Sequence, residues 1–292
     1  MKLFYSLSII VTSLLKNQKC LLTVFLFGLM SIGAVKAQTI TLTTTVDENN
    51  GNTGSIALLT GTPGGAGISL REAILAANNE PNGSIVTITM PAGTFTTTIA
   101  GAAENLGVSG DIDVNVSASA GMKTVTINGA GAGATIITGS TGERVFDVHA
   151  VSNPGSITFN LSGVTISGTT IASASGAALL LGRAGDISNI SNCAFSGNSA
   201  PNSGAISQSS SLTAHDLTVT NCTFTNNTAT SGGPGALNYN GIGNVTITSC
   251  TFTGNTAATQ GGALNITGGG TGPVTTNILR NTFLNNTANG IQ

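Results

Sequence analysis

Apolar and polar residues alternate over short runs along most of the chain, and Gly, Asn or Pro separates one run from the next. Alternation with a period of two predicts β-strands that bury one face. The runs that predict strands are 39–46, 85–90, 94–99, 111–116, 123–128, 135–138, 145–149, 156–161 and 164–167. The pattern therefore predicts an all-β protein built from many short strands.

One segment has a helical pattern instead. Ser69 and Glu72 form a capping box, in which each side chain can bond the backbone N–H of the other residue. The apolar residues that follow have helical spacing: Leu70, Ala73, Ile74 and Ala77. We therefore predict a helix over 70–79 that covers the open end of the first β-coil, and no other helix after the N-terminal leader.

A repeated four-residue word, Phe-x-x-Asn, marks the C-terminal third, with its Phe residues 29, 28 and 31 positions apart. A fixed period of this length indicates stacked supersecondary units. It predicts a right-handed parallel β-helix with roughly seven coils between 85 and 292, in which like residues stack. The Asn residues are predicted to occupy a left-handed corner and to bond one another. The repeat residues are Phe195, Asn198, Phe224, Asn227, Phe252, Asn255, Phe283 and Asn286.

Three cysteines stand two residues before a repeat Phe: Cys193, Cys222 and Cys250. An odd number of Cys in an exported chain does not form a complete disulfide framework. A zinc site would need a fourth ligand, which the neighbouring positions do not offer. We predict a buried ladder of free thiols, and we expect no metal and no cofactor.

The first 37 residues place three lysines before a short apolar run at 21–30, which is followed by Val35-Lys36-Ala37 with its small residues, as in a secretory signal peptide. The predicted organisation is a signal peptide (1–37), an N-terminal cap (38–84) and a β-helix (85–292) that stops inside a repeat. After residue 37 there are 5 basic and 11 acidic residues, a balance of 5 − 11 = −6. This excludes a nucleic-acid partner, which needs clustered Lys and Arg, and a groove for polyanionic sugars.

Two segments resemble known families. Ile68-Ser-Leu-Arg-Glu-Ala-Ile74 resembles the N-terminal segment of secreted proteins named for a Cys-Ser-Leu-Arg-Glu-Ala motif, with Ile68 in place of the Cys. The Phe-x-x-Asn words and Gly261-Gly-Ala-Leu264 resemble the repeats of polymorphic outer-membrane proteins, an autotransporter-like adhesin family. Together the resemblances cover about 68–292 and imply a secreted or outer-membrane, cell-surface β-helix with an adhesive role. Membrane association would then depend on a C-terminal region beyond Gln292.

Two groups of ionisable residues are candidates for chemistry. Asp186 and His215 each lie nine residues before a repeat Phe, so they should stack at one corner together with Asp216 and Arg183. Such a corner could perform acid–base catalysis, but we interpret it as a solvated turn with an ion pair. The second group occupies one predicted strand and is interpreted as surface charge at a coil edge: Glu143, Arg144, Asp147 and His149.

These features favour an exported, non-catalytic β-helix that binds an unknown surface, glycan or protein. The predicted binding surface is the outer faces and the variable turns 207–215, 238–244 and 267–273. The alternatives are a polysaccharide lyase or glycoside hydrolase that uses Asp186, His215 and Asp216, and a structural spacer without a ligand.

Overall fold

The computed structural model describes residues 36–101, 104–139, 142–148, 154–182, 185–208, 214–268, 272 and 274–289. From Ala37 onward these residues form one compact unit. Every paired strand is parallel to its neighbours, and like positions of successive coils are in register. The predicted all-β parallel solenoid is thereby confirmed.

Each coil contributes one strand to each of three or four sheets, which we name A to D. In the described residues they contain eight, seven, six and four strands. Sheet A consists of Ala37–Thr41, Ile85–Met90, Met122–Gly129, Ser156–Ser162, Ile187–Ser191, Asp216–Thr220, Gly243–Thr248 and Val274–Leu279. Sheet B consists of Gly93–Thr96, Thr135–Thr138, Thr165–Ser167, Ala194–Ser196, Thr223–Thr225, Thr251–Thr253 and Thr282–Leu284. Sheet C consists of Ile112–Val114, Phe146–Val148, Leu179–Leu181, Ile206–Gln208, Leu237–Gly241 and Leu264–Gly268. Sheet D consists of Ser199–Ala200, Thr228–Ala229, Thr256–Ala257 and Thr287–Ala288.

The repeat phenylalanines form one continuous stack on sheet B. Ring centroids are 4.9 Å apart between Phe195 and Phe224, 4.7 Å between Phe224 and Phe252, and 4.8 Å between Phe252 and Phe283. The first three rings are fully buried, whereas Phe283 on the last strand is 48% exposed. The spacing equals the distance between hydrogen-bonded strands, so the parallel register itself holds the rings face to face.

The repeat asparagines form a hydrogen-bonded ladder beside this stack. The Asn227 side-chain amide donates to Asn255 Oδ1 at 2.9 Å and to the Phe195 carbonyl at 3.0 Å. The predicted Asn ladder is therefore present, but the prediction that these residues are left-handed is wrong. Positive φ occurs one position earlier, for example at Asn226 (53°) and Gly254 (64°), because that residue makes the turn that aims the next side chain inward.

The three cysteines form the predicted buried ladder of free thiols. Cys193 Sγ lies 3.2 Å from the Ser191 carbonyl, and Cys222 and Cys250 make equivalent contacts to the residue two before them. The neighbouring thiols of Cys193 and Cys250, and then burial, raise the pKa of Cys222. The Cys222 thiol is thus a protonated packing group.

Between residue 36 and the first complete coil the structure has two helices, where the sequence predicted one. Helix α1, Ile56–Gly61, lies in a segment expected to be a loop; it is capped by Ser55 and buries Ile56 and Leu59. Helix α2, Leu70–Asn79, has the bounds and the Ser69–Glu72 capping box expected. It packs against Ile112–Val114, the edge strand of sheet C, and its buried face belongs to the same apolar core as the first coils. Within the described residues, neither helix is long and apolar enough to span a membrane.

Candidate functional site

The candidate corner formed by Asp186 and His215 lies in the interior of the solenoid. Asp186 and His215 are register neighbours, as predicted, because Ile187 pairs with Asp216. However, Asp186 is 1% exposed and His215 is fully buried. The interpretation as a solvated turn is therefore wrong: both side chains lie on the buried face of sheet A, and Arg183 is outside the described residues.

Hydrogen bonds hold these two side chains to the backbone and core of neighbouring coils. Asp186 Oδ1 accepts the backbone N–H of Ile157 at 2.8 Å, and His215 Nε2 lies 3.1 Å from Ser188 Oγ. Asp216 is half-buried on the outer face and accepts the Asn244 backbone N–H at 2.8 Å. The three residues therefore do not converge on a common solvent-facing site, and their contacts join adjacent coils.

The structure assembles a different ionisable site on sheet C. Ile112–Val114 pairs in register with Phe146–Val148, which places Asp113 directly beside Asp147. Asp111 lies two residues before Asp113. One carboxylate oxygen from each of the three aspartates lies within 4.8 Å of the others. We call this group the aspartate triad.

Asp113 is the unusual member, because it is on the outer side of its strand but is fully buried. The segment 104–110 covers it, and the backbone of Gly107 lies against the backbone of Asp113. Neither carboxylate oxygen has a hydrogen-bond partner of normal geometry among the described residues, although the nearby Gly107 amide slightly favours its charged form. Buried carboxylates are ordinarily paired or hydrogen-bonded, so this one has an unmet requirement for a proton or a cation.

Arg144 contacts two members of the triad. Its Nη1 lies 2.5 Å from Asp147 Oδ2, and its Nε lies 3.8 Å from Asp111 Oδ2. The side chains of Arg144, Asp147 and Asp111 are only 13–14% exposed. The interpretation of Arg144 and Asp147 as surface charge is therefore wrong: they line a partly covered groove. Its lining also includes Glu104, Glu143 and Ser173, while His149 lies outside the described residues.

The electrostatic environment raises two of the three carboxyl pKa values. Burial raises the pKa of Asp113 to about 8, with further increases from Asp111, Asp147 and Glu104. Burial also raises the pKa of Asp111 to about 6, and Arg144 partly opposes this. Carboxyl groups with perturbed pKa values are concentrated at functional sites, and structural charge networks also produce them.

A buried arginine fixes the segment that covers the triad. Arg71, in the Ser-Leu-Arg-Glu word of α2, uses Nε and Nη2 to bond both oxygens of Asp47, at 2.7 and 3.1 Å. It also donates to the carbonyls of Gly107, Gly110 and Asp111, at 2.9, 2.8 and 3.2 Å. All five N–H groups of the guanidinium are thereby used. Arg71 thus attaches α2 to the segment 107–111, which leads directly into the strand that carries Asp113.

A buried lysine attaches the other end of α2 to sheet A. Lys123 Nζ donates to the carbonyls of Ala77 at 3.0 Å and Asn78 at 2.7 Å, in the last turn of the helix. A cation is favourable there because the last carbonyls of a helix lack intrahelical donors. Burial lowers the pKa of Lys123 to about 8, and Glu80 partly opposes this effect.

Sequence reasoning missed Asp111 and Asp113, and treated Asp147 as surface charge, although one signal was present. Ile112-Asp113-Val114 and Phe146-Asp147-Val148 both place an Asp between two apolar residues, 34 positions apart. In a parallel β-helix such a repeated word predicts stacked carboxylates, which repel one another unless something neutralises them.

Comparison with known proteins adds no assignment: no family model, no curated protein and no solved structure matches this chain.

Proposed function

We propose that this protein is an exported, cell-surface or secreted β-helix that binds a polar surface or glycan without catalysis. The proposal rests on the N-terminal leader, on the two family resemblances, and above all on the outer face of sheet A. Most outer positions of that face carry uncharged polar side chains in a regular array; exceptions near the start of their strands include Ile85, Met122, Ile187 and Asp216. Its central column consists of the register partners Thr87, Thr126, Asn160, Asn189, Thr218 and Thr246.

Hydrogen bonds between coils order this array. The Asn189 side-chain amide donates to Asn160 Oδ1 at 2.9 Å, and Asn160 donates to Thr126 Oγ1 at 2.9 Å. Side chains that are already ordered lose little conformational entropy on binding. The array therefore suits a ligand that presents many hydroxyl groups at regular spacing.

One of the three predicted variable turns, 238–244, consists mostly of strand. Of 238–244, all but Ile242 belongs to the strands Leu237–Gly241 and Gly243–Thr248. Residues 209–213, 269–271 and 273 of the other two turns lie outside the described residues.

The test is to measure binding of the purified protein to a glycan array and to polysaccharide-coated surfaces. A Thr218→Lys, Thr246→Lys variant disrupts the sheet A array, and we expect it to lose most of the binding. The matched control is Thr223→Lys, Thr251→Lys, which places the same change on adjacent coils of sheet B. No binding by the unmodified protein, or equal loss in both variants, would contradict the proposal.

A second candidate, a carbohydrate-active enzyme, is favoured by one observation. Asp111 combines a pKa of about 6 with a side chain that lines the groove beside Arg144. A carboxyl group with such a pKa can act as a general acid or base on a glycosidic bond. If this function is correct, the protein releases reducing or unsaturated sugars, Asp111→Asn abolishes the release, and Asp216→Asn preserves it.

A further inference from the structure

Two observations of the aspartate triad require a neutralising partner. Asp113 and Asp147 are side by side on adjacent parallel strands, an arrangement in which like charges repel. Asp113 is also fully buried, and its two oxygens accept no hydrogen bond of normal geometry from any described residue. The first observation comes from the strand register and the second from the covering segment, so they are independent.

The groups that surround Asp113 are mostly acidic. Asp111, Asp147, Glu104 and Glu143 carry up to four negative charges, and Arg144 is the basic side chain in the groove. Arg144 is bonded to Asp147 and lies near Asp111. The positive charge of Arg144 therefore compensates Asp147 and Asp111, and Asp113 would need a different cation.

We propose that Asp111, Asp113 and Asp147 bind one Ca²⁺ ion, which links the first two coils of the solenoid beneath the segment 104–110. Three carboxylates are the hard oxygen ligands that Ca²⁺ and Mg²⁺ prefer. Oxygens within 4.8 Å of one another can share one Ca²⁺, because two Ca–O bonds span about 4.6–5.2 Å. Ca²⁺ also accepts several carboxylates in a flexible geometry, whereas Mg²⁺ demands a near-ideal octahedron and usually keeps several waters. Asp111 and Asp147 reach the groove, so water can complete the coordination.

The ion would have a structural role, because it would position neighbouring strands relative to each other. It would connect the strand that Arg71 fixes to α2 with the next strand of sheet C, and so hold the N-terminal coils in register. This proposal does not depend on the binding function of sheet A, and either one can fail without the other.

The test is calorimetric titration of the EDTA-treated protein with CaCl₂ at pH 7.5, with thermal unfolding measured in parallel. We expect one ion per chain with a Kd of about 10⁻⁴ M. We also expect the unfolding temperature to rise by at least about 3 °C in 5 mM CaCl₂. MgCl₂ at the same concentration and NaCl at the same ionic strength should each produce less than a third of this shift.

Two variants separate specific binding from a general effect of charge. Asp113→Asn preserves the shape of the side chain, and we expect it to abolish both the binding heat and the calcium-dependent shift. Asp216→Asn removes a carboxylate on sheet A and should leave both unchanged. The proposal is overturned if the unmodified protein shows no binding, which would indicate that the triad retains a proton instead. It is also overturned if Mg²⁺ binds as tightly as Ca²⁺, or if folded Asp113→Asn binds Ca²⁺ normally.

Discussion

Replacing Arg71 with methionine tests whether the interior charges hold the N-terminal part of the solenoid together. The substitution keeps much of the apolar length of the side chain and removes five hydrogen bonds. It leaves the Asp47 carboxylate, whose side chain is 5% exposed, without its cation.

The expected loss of stability depends on which hydrogen bonds Asp47 keeps after Arg71 is replaced. Breaking a buried ion pair costs about 3–5 kcal/mol. Asp47 Oδ2 still accepts the backbone N–H groups of Thr98 and Ile99, at 2.6 and 2.9 Å, which favours the lower end of that range. The carbonyls of Gly107, Gly110 and Asp111 lose the guanidinium as their hydrogen-bond donor. If water replaces some of these hydrogen bonds, their loss lowers the free energy of unfolding by about 1 kcal/mol more. We therefore expect the free energy of unfolding to fall by about 4 kcal/mol.

Urea unfolding followed by far-ultraviolet circular dichroism measures the total change. Because solenoids can unfold in parts, hydrogen exchange of the amides in 107–114 should be measured as well, and it should accelerate more than exchange in 245–253. The matched control is Arg280→Met, an exposed arginine whose removal should change stability by less than about 0.5 kcal/mol.

A double-mutant cycle with Asp47→Asn isolates the ion pair itself. We expect a coupling energy of at least about 2 kcal/mol, because either single variant already removes the interaction. If Arg71→Met costs less than about 1 kcal/mol, or if the two substitutions are additive, the reasoning about this interior charge pair is refuted.

Three further perturbations test other parts of the structure. Phe224→Ala should lower the free energy of unfolding by about 3–5 kcal/mol, because it opens a cavity in a buried stack. The same change at the half-exposed Phe283 should cost less than half as much. Equal losses of stability in urea unfolding would argue against the stack. Asn227→Asp should lower the free energy of unfolding by about 3 kcal/mol, because a carboxylate cannot donate a hydrogen bond to the Phe195 carbonyl or to Asn255. An unfolding temperature within about 2 °C of that of the unmodified protein would contradict the ladder. Without calcium, the pKa of Asp113 is raised from 3.8 to about 8, so the folded protein holds a proton that the unfolded chain releases above about pH 4. The contribution of Asp113 to the free energy of unfolding is therefore complete below pH 4 and is lost as the pH rises towards 8. Urea unfolding in EDTA at several pH values should show this decrease. The decrease should be absent in Asp113→Asn.

The repeat architecture could be predicted because its signal is local and recurs. Three successive coils place Cys, Phe and Asn at the same offsets, and parallel pairing converts equal offsets into direct stacking. The capping box of α2 was equally readable, because Ser69 and Glu72 satisfy each other within one turn. Helix α1 was missed because it is only six residues long and its cap, Ser55, lacks the reciprocal glutamate.

The position of the ionisable residues could not be predicted in the same way. His215 immediately precedes the strand Asp216–Thr220, and the sequence therefore suggested that it belongs to a turn. The alternation of buried and outer positions in that strand extends one residue towards the N-terminus, so the His215 side chain points inward. Asp113 is the opposite case: alternation places its side chain on the outer face, and the irregular segment 104–110, just before its strand, buries it. Burial by a segment that is not part of the repeat leaves no periodic signal in the sequence.

The most direct test of the central claim, that equal positions of successive coils stack in register, is an experimental crystal structure of the protein. We predict that the rings of Phe195, Phe224 and Phe252 form a file with centroids 4.7–4.9 Å apart and interplanar angles below about 15°. Rings that lie in separate clusters, or coils shifted by a residue so that Asp113 and Asp147 no longer face each other, would contradict the account.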